Sequence, residues 1–153
     1  KEPFAITGPG EYEYGGVTVQ GFLSKSEYAL PKGTAQAMNT IYSVKLEGMT
    51  LVHLGALSDT TLSHDAKEGI DEIDVLFVPV GGEGVLDAGQ AAKLSTMLEP
   101  RIIIPMHWSG MGGAKALDAY LKEEGGAVEK TDKLTLKKKD ALDKDGVIIV
   151  INP

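Results

Sequence analysis

The sequence predicts an α/β protein built in layers, and two changes of pattern along the chain indicate this class. In the first third, short runs of alternating apolar and polar residues are separated by glycine turns, as in "EYEYGGVTVQGFL" (residues 11–23), which is typical of antiparallel hairpins. From residue 59 onward, continuous apolar runs alternate with stretches of helical period. Antiparallel strands followed by helix-covered strands favour an α/β layered sandwich.

The antiparallel part is predicted to contain five strands. The first is "FAIT" (residues 4–7), and the next two form the hairpin of residues 11–14 and 17–23. The other two, "NTIYSVKLEG" and "MTLVHLGAL" (residues 39–57), flank a turn at Glu47-Gly48. Residues 25–38 between the strands are polar without a period, which predicts a loop.

The second part is predicted to alternate helices and strands. Ser63 is a predicted N-cap, and Asp87 with Gln90 three residues later predicts a capping box. The run "DVLFVPV" is apolar throughout, as in strands buried on both faces. The predicted elements are a helix at 63–73, a strand at 74–80, a helix from 87, a strand at 101–106, a helix at 114–124, and strands at 133–137 and 147–151.

Composition bounds the classes of function. The 153 residues suit a single domain with its own core. The net charge of −7 disfavours nucleic acid and anionic membranes as partners, and the local run "KLTLKKKD" (133–140) is interpreted as a solvated hairpin rim. The absence of cysteine excludes disulfides and thiolate metal sites and fits a cytoplasmic location.

Two of the three histidines share a context that points to chemistry. His53 and His107 each follow an apolar strand and precede a glycine within three residues. Ligands of layered α/β sheets bind outside strand ends, and zinc accepts neutral imidazole nitrogen among three or four ligands. The sequence therefore predicts half of a metal site from this pair. His64 follows a predicted helix cap and is interpreted as a surface residue.

Two other readings of the sequence are weaker. The loop in "VPVGGEGVLDAGQ" (78–90) lies between a strand and a helix, where phosphates bind. However, Asp87 stands where the dinucleotide pattern needs its third glycine, and no P-loop lysine follows. Ser109 is too close to His107 along the chain to be favoured as a nucleophile with its base.

Four stretches together resemble the metallo-β-lactamase superfamily. They are "ITGPGEYEYGGVTVQGF", "NTIYSVKLEGMTLVHLGAL", "DEIDVLFVPVGGEGVLDAGQAAKL" and "LEPRIIIPMHW", which cover most of residues 5–108. The nearest branch contains small bacterial Zn-dependent hydrolase-like proteins related to ascorbate-6-phosphate lactonase. Its hallmarks are a His-Leu-Gly-Asp strand end, a Leu-Leu-Pro-Val-Gly-Gly strand and a final Ile-Pro-Met-His.

The resemblance implies a four-layer αββα sandwich with metals at the sheet edges. It also implies a zinc-dependent hydrolase of the ester, lactone or phosphodiester class, acting on a small molecule. The family's first metal motif, His-x-His-x-Asp-His, lies upstream of the matched stretches. We therefore expect residues 1–153 to be a single, N-terminally incomplete domain comprising the C-terminal two-thirds of the family fold.

Two departures from the family pattern predict a depleted metal site. The bridging aspartate after His-Leu-Gly is Ala56, and "LSKSEY" (23–28) lacks the usual middle histidine. His107 matches the last family ligand, whereas His53 matches a motif whose part in metal binding the resemblance leaves open. With Asp59 three residues beyond Ala56, the candidate metal ligands are His107, His53 and Asp59. We expect weak zinc binding and weak or no hydrolysis; the alternative is a non-catalytic binding or assembly module.

Two expectations concern packing. Without upstream strands, "FAIT" and "VTVQGFL" should leave an apolar face or edge open, so the chain should form a homo-oligomer or aggregate. Trp108 should be substantially buried near the strand ends, with Phe77 as a neighbour.

Overall fold

A computed structural model describes residues 3–31, 37–109 and 113–152. Its strands are β1 Gly10–Tyr14, β2 Val17–Ser26, β3 Ala37–Leu46, β4 Met49–His53, β5 Val75–Pro79, β6 Ile102–Met106, β7 Val128–Thr131 and β8 Val147–Ile151. Its helices are α1 His64–Gly69, α2 Ala88–Leu98, α3 Gly113–Glu124 and α4 Lys138–Ala141. Part of the predicted loop 25–38, residues 32–36, lies outside the described residues.

The strands in the described residues form one eight-stranded sheet in the order β1-β2-β3-β4-β5-β6-β8-β7. Strands β1 to β4 are antiparallel, as the alternating hairpins predicted. Strand β4 then pairs in parallel with β5, and the remaining pairs are also parallel. This combination of an antiparallel meander with helix-linked parallel strands confirms the predicted α/β class.

One face of the sheet is covered by helices. Side chains alternate between faces along each strand, and Ile41, Val52, Leu76, Ile103 and Ile148 all belong to the main buried core with residues of α1, α2 and α3. Their near-complete burial contributes about 1.5–3 kcal/mol for each large side chain. In the described residues, no helix is both long enough and apolar enough to cross a bilayer.

The helix starts follow the capping chemistry predicted from sequence. The Ser63 hydroxyl accepts the Ala66 N–H at 3.2 Å. Asp87 and Gln90 form the reciprocal capping box, with hydrogen bonds of 2.8 and 3.0 Å. Helix α1 is shorter than predicted because Ile70 has already left helical geometry.

Half of the second face is covered by the C-terminal segment. Leu134, Leu136 and Ala141 pack on Ile102 and other residues of β5, β6 and β8. The predicted strand at 133–137 is therefore wrong, since this segment is irregular and lies across the sheet instead of joining it. Leu134 and Leu136 are spaced as in a strand because both side chains pack on the apolar surface formed by β5, β6 and β8. On the side of β8 away from β6, the pairing strand is β7, which lies earlier in the chain than residues 133–137.

The other half of the second face, on β1 to β4, is covered only in part, by residues 3–9. Register and alternation place a continuous set of side chains there, and we call this set the open sheet face. It comprises Tyr12, Tyr14, Val17, Val19, Leu23, Met38, Tyr42, Val44, Leu46 and Leu51. Met38 is 82% exposed and Leu23 is 52% exposed, so apolar side chains here face solvent.

Residues 3–9 cross this face without forming a strand, and the Phe4 ring stacks on Tyr14 with ring centroids 5.8 Å apart. The predicted strand "FAIT" is therefore wrong. The Tyr42 hydroxyl donates to the Gly8 carbonyl at 3.4 Å, and a Cβ at Gly21 would lie 2.9 Å from the same oxygen. Glycine at position 21 thus lets the segment lie close against β2. The segment packs on the face of the sheet, so "FAIT" does not pair with the edge strand β1.

Asp74 joins several elements of the parallel half. Its carboxylate is fully buried and accepts a hydrogen bond from the Thr50 N–H of β4 at 2.8 Å. Lys138 Nζ donates to both carboxylate oxygens, each at 2.8 Å. Arg101, which leads into β6, lies 3.4 Å away through Nε. The interpretation of 133–140 as a solvated rim is thus wrong for Lys138, because that ammonium group neutralises a buried charge.

Replacing Asp74 with asparagine tests this arrangement. The substitution keeps the side-chain volume but leaves Lys138 and Arg101 without their counter-charge. We therefore expect the free energy of unfolding, measured in urea, to fall by about 3 kcal/mol. Asp71→Asn, an exposed carboxylate nearby, serves as the control and should change stability by less than about 0.5 kcal/mol. Equal effects of the two substitutions would contradict the role assigned to Asp74.

Candidate functional site

The parallel strands bring their carboxyl ends to one edge of the sheet. His53 ends β4 and pairs in register with Phe77 of β5, which in turn pairs with Ile104 of β6. His107 follows the last residue of β6. Burial lowers the pKa of His53, and the nearby charge of His107 lowers it further. The structure therefore brings together the two histidines that the sequence singled out.

His107 leaves the sheet through a left-handed backbone. Its φ of 57° is unusual for a residue with a side chain. A proline often ends a strand, but Pro105 still pairs with Val78 and β6 continues to Met106. A proline is tolerated here because β8 pairs with β6 only at Ile102 and Ile103. Position 105 therefore does not need a backbone N–H to bond with β8.

The His107 ring lies against Tyr28. The two ring centroids are 5.4 Å apart with an interplanar angle of 81°, an edge-on aromatic contact. Burial lowers the pKa of His107, so the neutral imidazole is favoured near pH 7. A neutral imidazole has a lone pair that is free to bind a cation or accept a proton.

The His53 ring is oriented by a backbone donor and an aromatic neighbour. The Gly55 N–H donates to His53 Nδ1 at 3.1 Å, and the Phe77 ring lies 5.6 Å from the imidazole, centroid to centroid. Because Nδ1 accepts this bond, Nε2 carries the proton in the neutral ring. Coordination of a metal through Nε2 would therefore require a change of tautomer and loss of the Gly55 bond.

Asn39 fixes the loop after His53, and sequence reasoning did not identify it. Its Nδ2 donates to the Leu54 carbonyl at 2.9 Å and to Ser24 Oγ at 2.8 Å, while its Oδ1 accepts the Ala56 N–H at 3.0 Å. A Cβ at Gly55 would overlap the Asn39 amide. The available signal was an asparagine at a strand position, where this residue type is disfavoured unless its amide finds partners.

The glycine loop before α2 packs against the end of β2. Glu27 N–H donates to the Gly84 carbonyl at 3.2 Å, and Leu86 N–H donates to the Leu57 carbonyl at 2.8 Å. A Cβ at Gly84 would lie 2.6 Å from the Glu27 carbonyl oxygen, and φ at Gly84 is +96°, so glycine is required. The loop serves close packing, in keeping with the weak case for a phosphate cradle.

Asp59 is held by its own turn. Its Oδ1 accepts the Thr61 N–H at 2.8 Å. Hydrogen bonds from Thr61 lower the pKa of Asp59, and the charge of Lys25 contributes in the same direction. The carboxylate is therefore ionised near pH 7, but its neighbours on this side are a threonine and a lysine.

The described residues do not by themselves fit a zinc ion. Within residues 3–31, 37–109 and 113–152, no three histidine, cysteine, aspartate or glutamate side chains group as they would around a metal. His53 and His107 supply two imidazoles, and one of their four nitrogens already accepts a backbone bond. Position 56, held by Asn39, presents only a methyl group. The assignment of His107, His53 and Asp59 as metal ligands remains a prediction.

The third histidine lies apart from this site. His64 Nε2 is 3.3 Å from Glu68 Oε1, one helical turn away, and its side chain is highly exposed. Its interpretation as a surface residue is confirmed.

Trp108 lies on the helix side of the sheet. Its ring is partly buried against the main core, whereas Phe77 packs in the smaller cluster on the opposite face. The predicted Trp108–Phe77 contact is therefore wrong, because the left-handed turn at His107 sends the next side chain to the other side of the sheet. Phe77 contacts His53 instead.

The fold and the site define a layered α/β protein with its candidate functional groups at the carboxyl ends of parallel strands. A family model described as the beta-lactamase superfamily domain matches residues 1–107. The chain belongs to this superfamily, which confirms the resemblance found in the sequence.

Relatives of this chain are named as metal-dependent hydrolases. One from Carboxydothermus hydrogenoformans is 31% identical over 104 residues, which cover 65% of this chain and 45% of the relative. Another from Pyrococcus furiosus is 39% identical over 71 residues, covering 44% of this chain and 30% of the relative. The matched part of the chain thus spans less than half the length of each of these two relatives.

Solved structures support the same fold. A Thermotoga maritima protein, described as a Zn-dependent hydrolase of the metallo-beta-lactamase superfamily, superposes with a TM-score of 0.74 at 28% identity. The superposition covers 95% of this chain and 71% of that one. YhfI from Bacillus subtilis, a metallo-beta-lactamase fold protein, gives a TM-score of 0.60 at 11% identity, covering 96% of this chain and 52% of YhfI.

Truncation of Trp108 tests the packing behind the histidine edge. Because the ring is only partly buried, we expect Trp108→Ala to reduce the free energy of unfolding by about 3 kcal/mol, the lower end for such a change. Met97→Ala, an exposed apolar side chain on α2, is the control and should cost much less. A loss below about 1 kcal/mol for Trp108 in chemical denaturation would make it a surface or interface residue.

Proposed function

We propose that this chain carries part of a metal-dependent hydrolase site, with His107 and His53 as its share of the metal-binding groups. The observation that carries the proposal is the position of His53 at the end of β4 and of His107 just after β6, at the same carboxyl edge of the parallel strands. Membership of the beta-lactamase superfamily and the names of the relatives support the reaction class.

The substrate class we propose is an ester, lactone or phosphodiester. A bound divalent metal would polarise such a group and lower the pKa of a bound water. Tyr28 packs edge-on against His107. The Gly55 N–H, which fixes the ring of His53, would have to release Nδ1 before His53 binds a metal through Nε2. Partial desolvation lowers the pKa of both histidines, which favours neutral imidazoles near pH 7.

We further propose that these residues alone bind zinc weakly and hydrolyse poorly. Two imidazoles leave a zinc ion short of the three or four protein ligands that tight sites use. Ala56 cannot add a carboxylate, although Asn39 holds its backbone firmly at the edge. Asp59 would have to leave its Thr61 turn to take part.

A second candidate function is a non-catalytic binding or assembly module of the same fold. It is favoured by Ala56 at the position where the resemblance places the bridging aspartate, because a methyl group cannot bind a cation. Hydrolysis assays with ester, lactone and phosphodiester reporters in excess zinc distinguish the two candidates. Turnover that is lost in His107→Ala and kept in His64→Ala supports the hydrolase, whereas no turnover with any reporter supports the module.

Zinc titration of the 153-residue chain tests the weak site. At pH 7.5 both imidazoles should be neutral, and we expect calorimetry to show a Kd weaker than about 1 μM, or less than about 8 kcal/mol of binding free energy. Any weak heat should fall in His107→Ala and His53→Ala but persist in His64→Ala. A stoichiometric site tighter than about 1 μM would contradict the proposal, and Asp59→Asn would then identify whether that carboxylate is the additional ligand.

A further inference from the structure

A cleft opens at the amino ends of the parallel strands, at the opposite end of the sheet from His53 and His107. Its volume is about 1250 Å³. It lies between the carboxyl ends of α1, α2 and α3, the residues that lead into β5 and β6, and the loop before β8. Pockets that bind small molecules are concave, largely apolar and roughly 300–1,000 Å³ in volume. The cleft is therefore large enough for such a ligand.

Part of the cleft wall is apolar and exposed. Met97 of α2 and Leu142, which follows α4, both line the cleft, and they are 55% and 50% exposed. The lining also includes the buried core residues Leu62, Ile73 and Ile103. Exposed apolar side chains in a concave surface gain free energy when a ligand's apolar part covers them. The wall therefore suits a ligand with an apolar body.

Buried polar side chains lie at the α3 end of the cleft. Ser95 and Tyr120 are 1% and 0% exposed, and their hydroxyls share a hydrogen bond of 3.2 Å. Glu124 lines the cleft with Ser95, and its Oε2 is shielded from solvent without a hydrogen-bond partner among the described residues. Burial raises the pKa of Tyr120, and the charge of Glu124 raises it further, which places the carboxylate near this hydroxyl. A buried carboxylate oxygen without a donor is unfavourable, so this end of the cleft lacks a donor or a cation.

The charges around the cleft also favour a cation. Two of its three basic residues are already paired, Arg101 with Asp74 and Lys144 with Glu129. The carboxyl ends of α2 and α3 also lie here, and the carboxyl end of a helix carries a partial negative charge. The acidic residues in the lining outnumber the basic ones by six to three, and they are Asp71, Glu72, Glu99, Glu124, Asp143 and Asp145.

We propose that this cleft binds a small organic cation, with its ammonium group at Glu124 and its apolar body against Met97 and Leu142. An ammonium group supplies the charged donor that Glu124 Oε2 lacks. The residue as a whole is only partly buried, so rotation of its carboxylate brings this oxygen to the cleft. A bare metal ion fits less well, because it would leave the apolar wall uncovered and because no metal-binding group of side chains occurs among the described residues.

Titration of the ¹⁵N-labelled chain with n-hexylammonium, followed through its backbone amide signals by nuclear magnetic resonance, tests the site. n-Hexanol and n-hexanoate carry the same apolar chain with a neutral and a negative head group. We expect saturable shifts at residues 62–73 and 95–103. The dissociation constant of n-hexylammonium should be at least about fivefold lower than that of n-hexanol, because only the ammonium group makes a charge-assisted bond. n-Hexanoate should not saturate the same signals.

Glu124→Gln keeps the size of the side chain and removes its charge. It should bring the dissociation constant of n-hexylammonium to within about twofold of that of n-hexanol, because the charge-assisted bond is lost. Binding of n-hexanol itself should be unchanged. Met97→Ala should weaken binding of both compounds by about threefold, because each loses apolar contact.

Glu123→Gln is the matched control, because Glu123 is an exposed carboxylate on the same helix, and it should keep the preference for the ammonium compound. Circular dichroism melting of all variants checks that the fold is kept. Three results would each overturn the proposal: no saturable shift at the cleft, equal affinity for n-hexylammonium and n-hexanol in the unsubstituted chain, or a preference that survives Glu124→Gln. None of these measurements involves zinc or hydrolysis, so failure of this proposal is distinguishable from failure of the proposed function.

Discussion

Parallel pairing of β4, β5 and β6 is the constraint on which both the core and the candidate site depend. It aligns the carboxyl ends of the strands, so His53 and the residue after β6 reach the same edge although more than fifty residues separate them. The other end of the same strands is held by Asp74, which binds the β4 backbone, Arg101 and Lys138. Because this carboxylate is buried, loss of either the pairing or the charge compensation would disturb the whole parallel half.

The two faces of the sheet follow from the same alternation of side chains but have different outcomes. The helix side is closed by α1, α2 and α3, and the second side is closed under β5, β6 and β8 by Leu134 and Leu136. Toward β1, the second side stays apolar and is covered only in part, by residues 3–9.

The fold was largely predictable because its signals are local. Alternation identified the hairpins, and the capping residues Ser63 and Asp87 marked two helix starts. The errors came from segments whose conformation depends on distant contacts. Leu134 and Leu136 alternate because they cover the sheet, and Lys138 is drawn from the surface by a carboxylate sixty-four residues away in sequence. The two histidines of the site were predictable from their places at strand ends. The Asn39 clamp was not, because its three partner residues, Ser24, Leu54 and Ala56, become adjacent only when β2, β3 and β4 pair.

The central claim is that parallel pairing makes His53 and His107 an interacting pair. Nuclear magnetic resonance titration of the imidazole signals tests this claim directly in the unsubstituted chain and in His107→Ala. We expect both histidines to have a pKa below the ordinary histidine value. Removal of His107 should raise the pKa of His53, because the repelling charge is lost while burial remains. An unchanged His53 pKa in His107→Ala would show that the two rings do not interact and would contradict this account of the site.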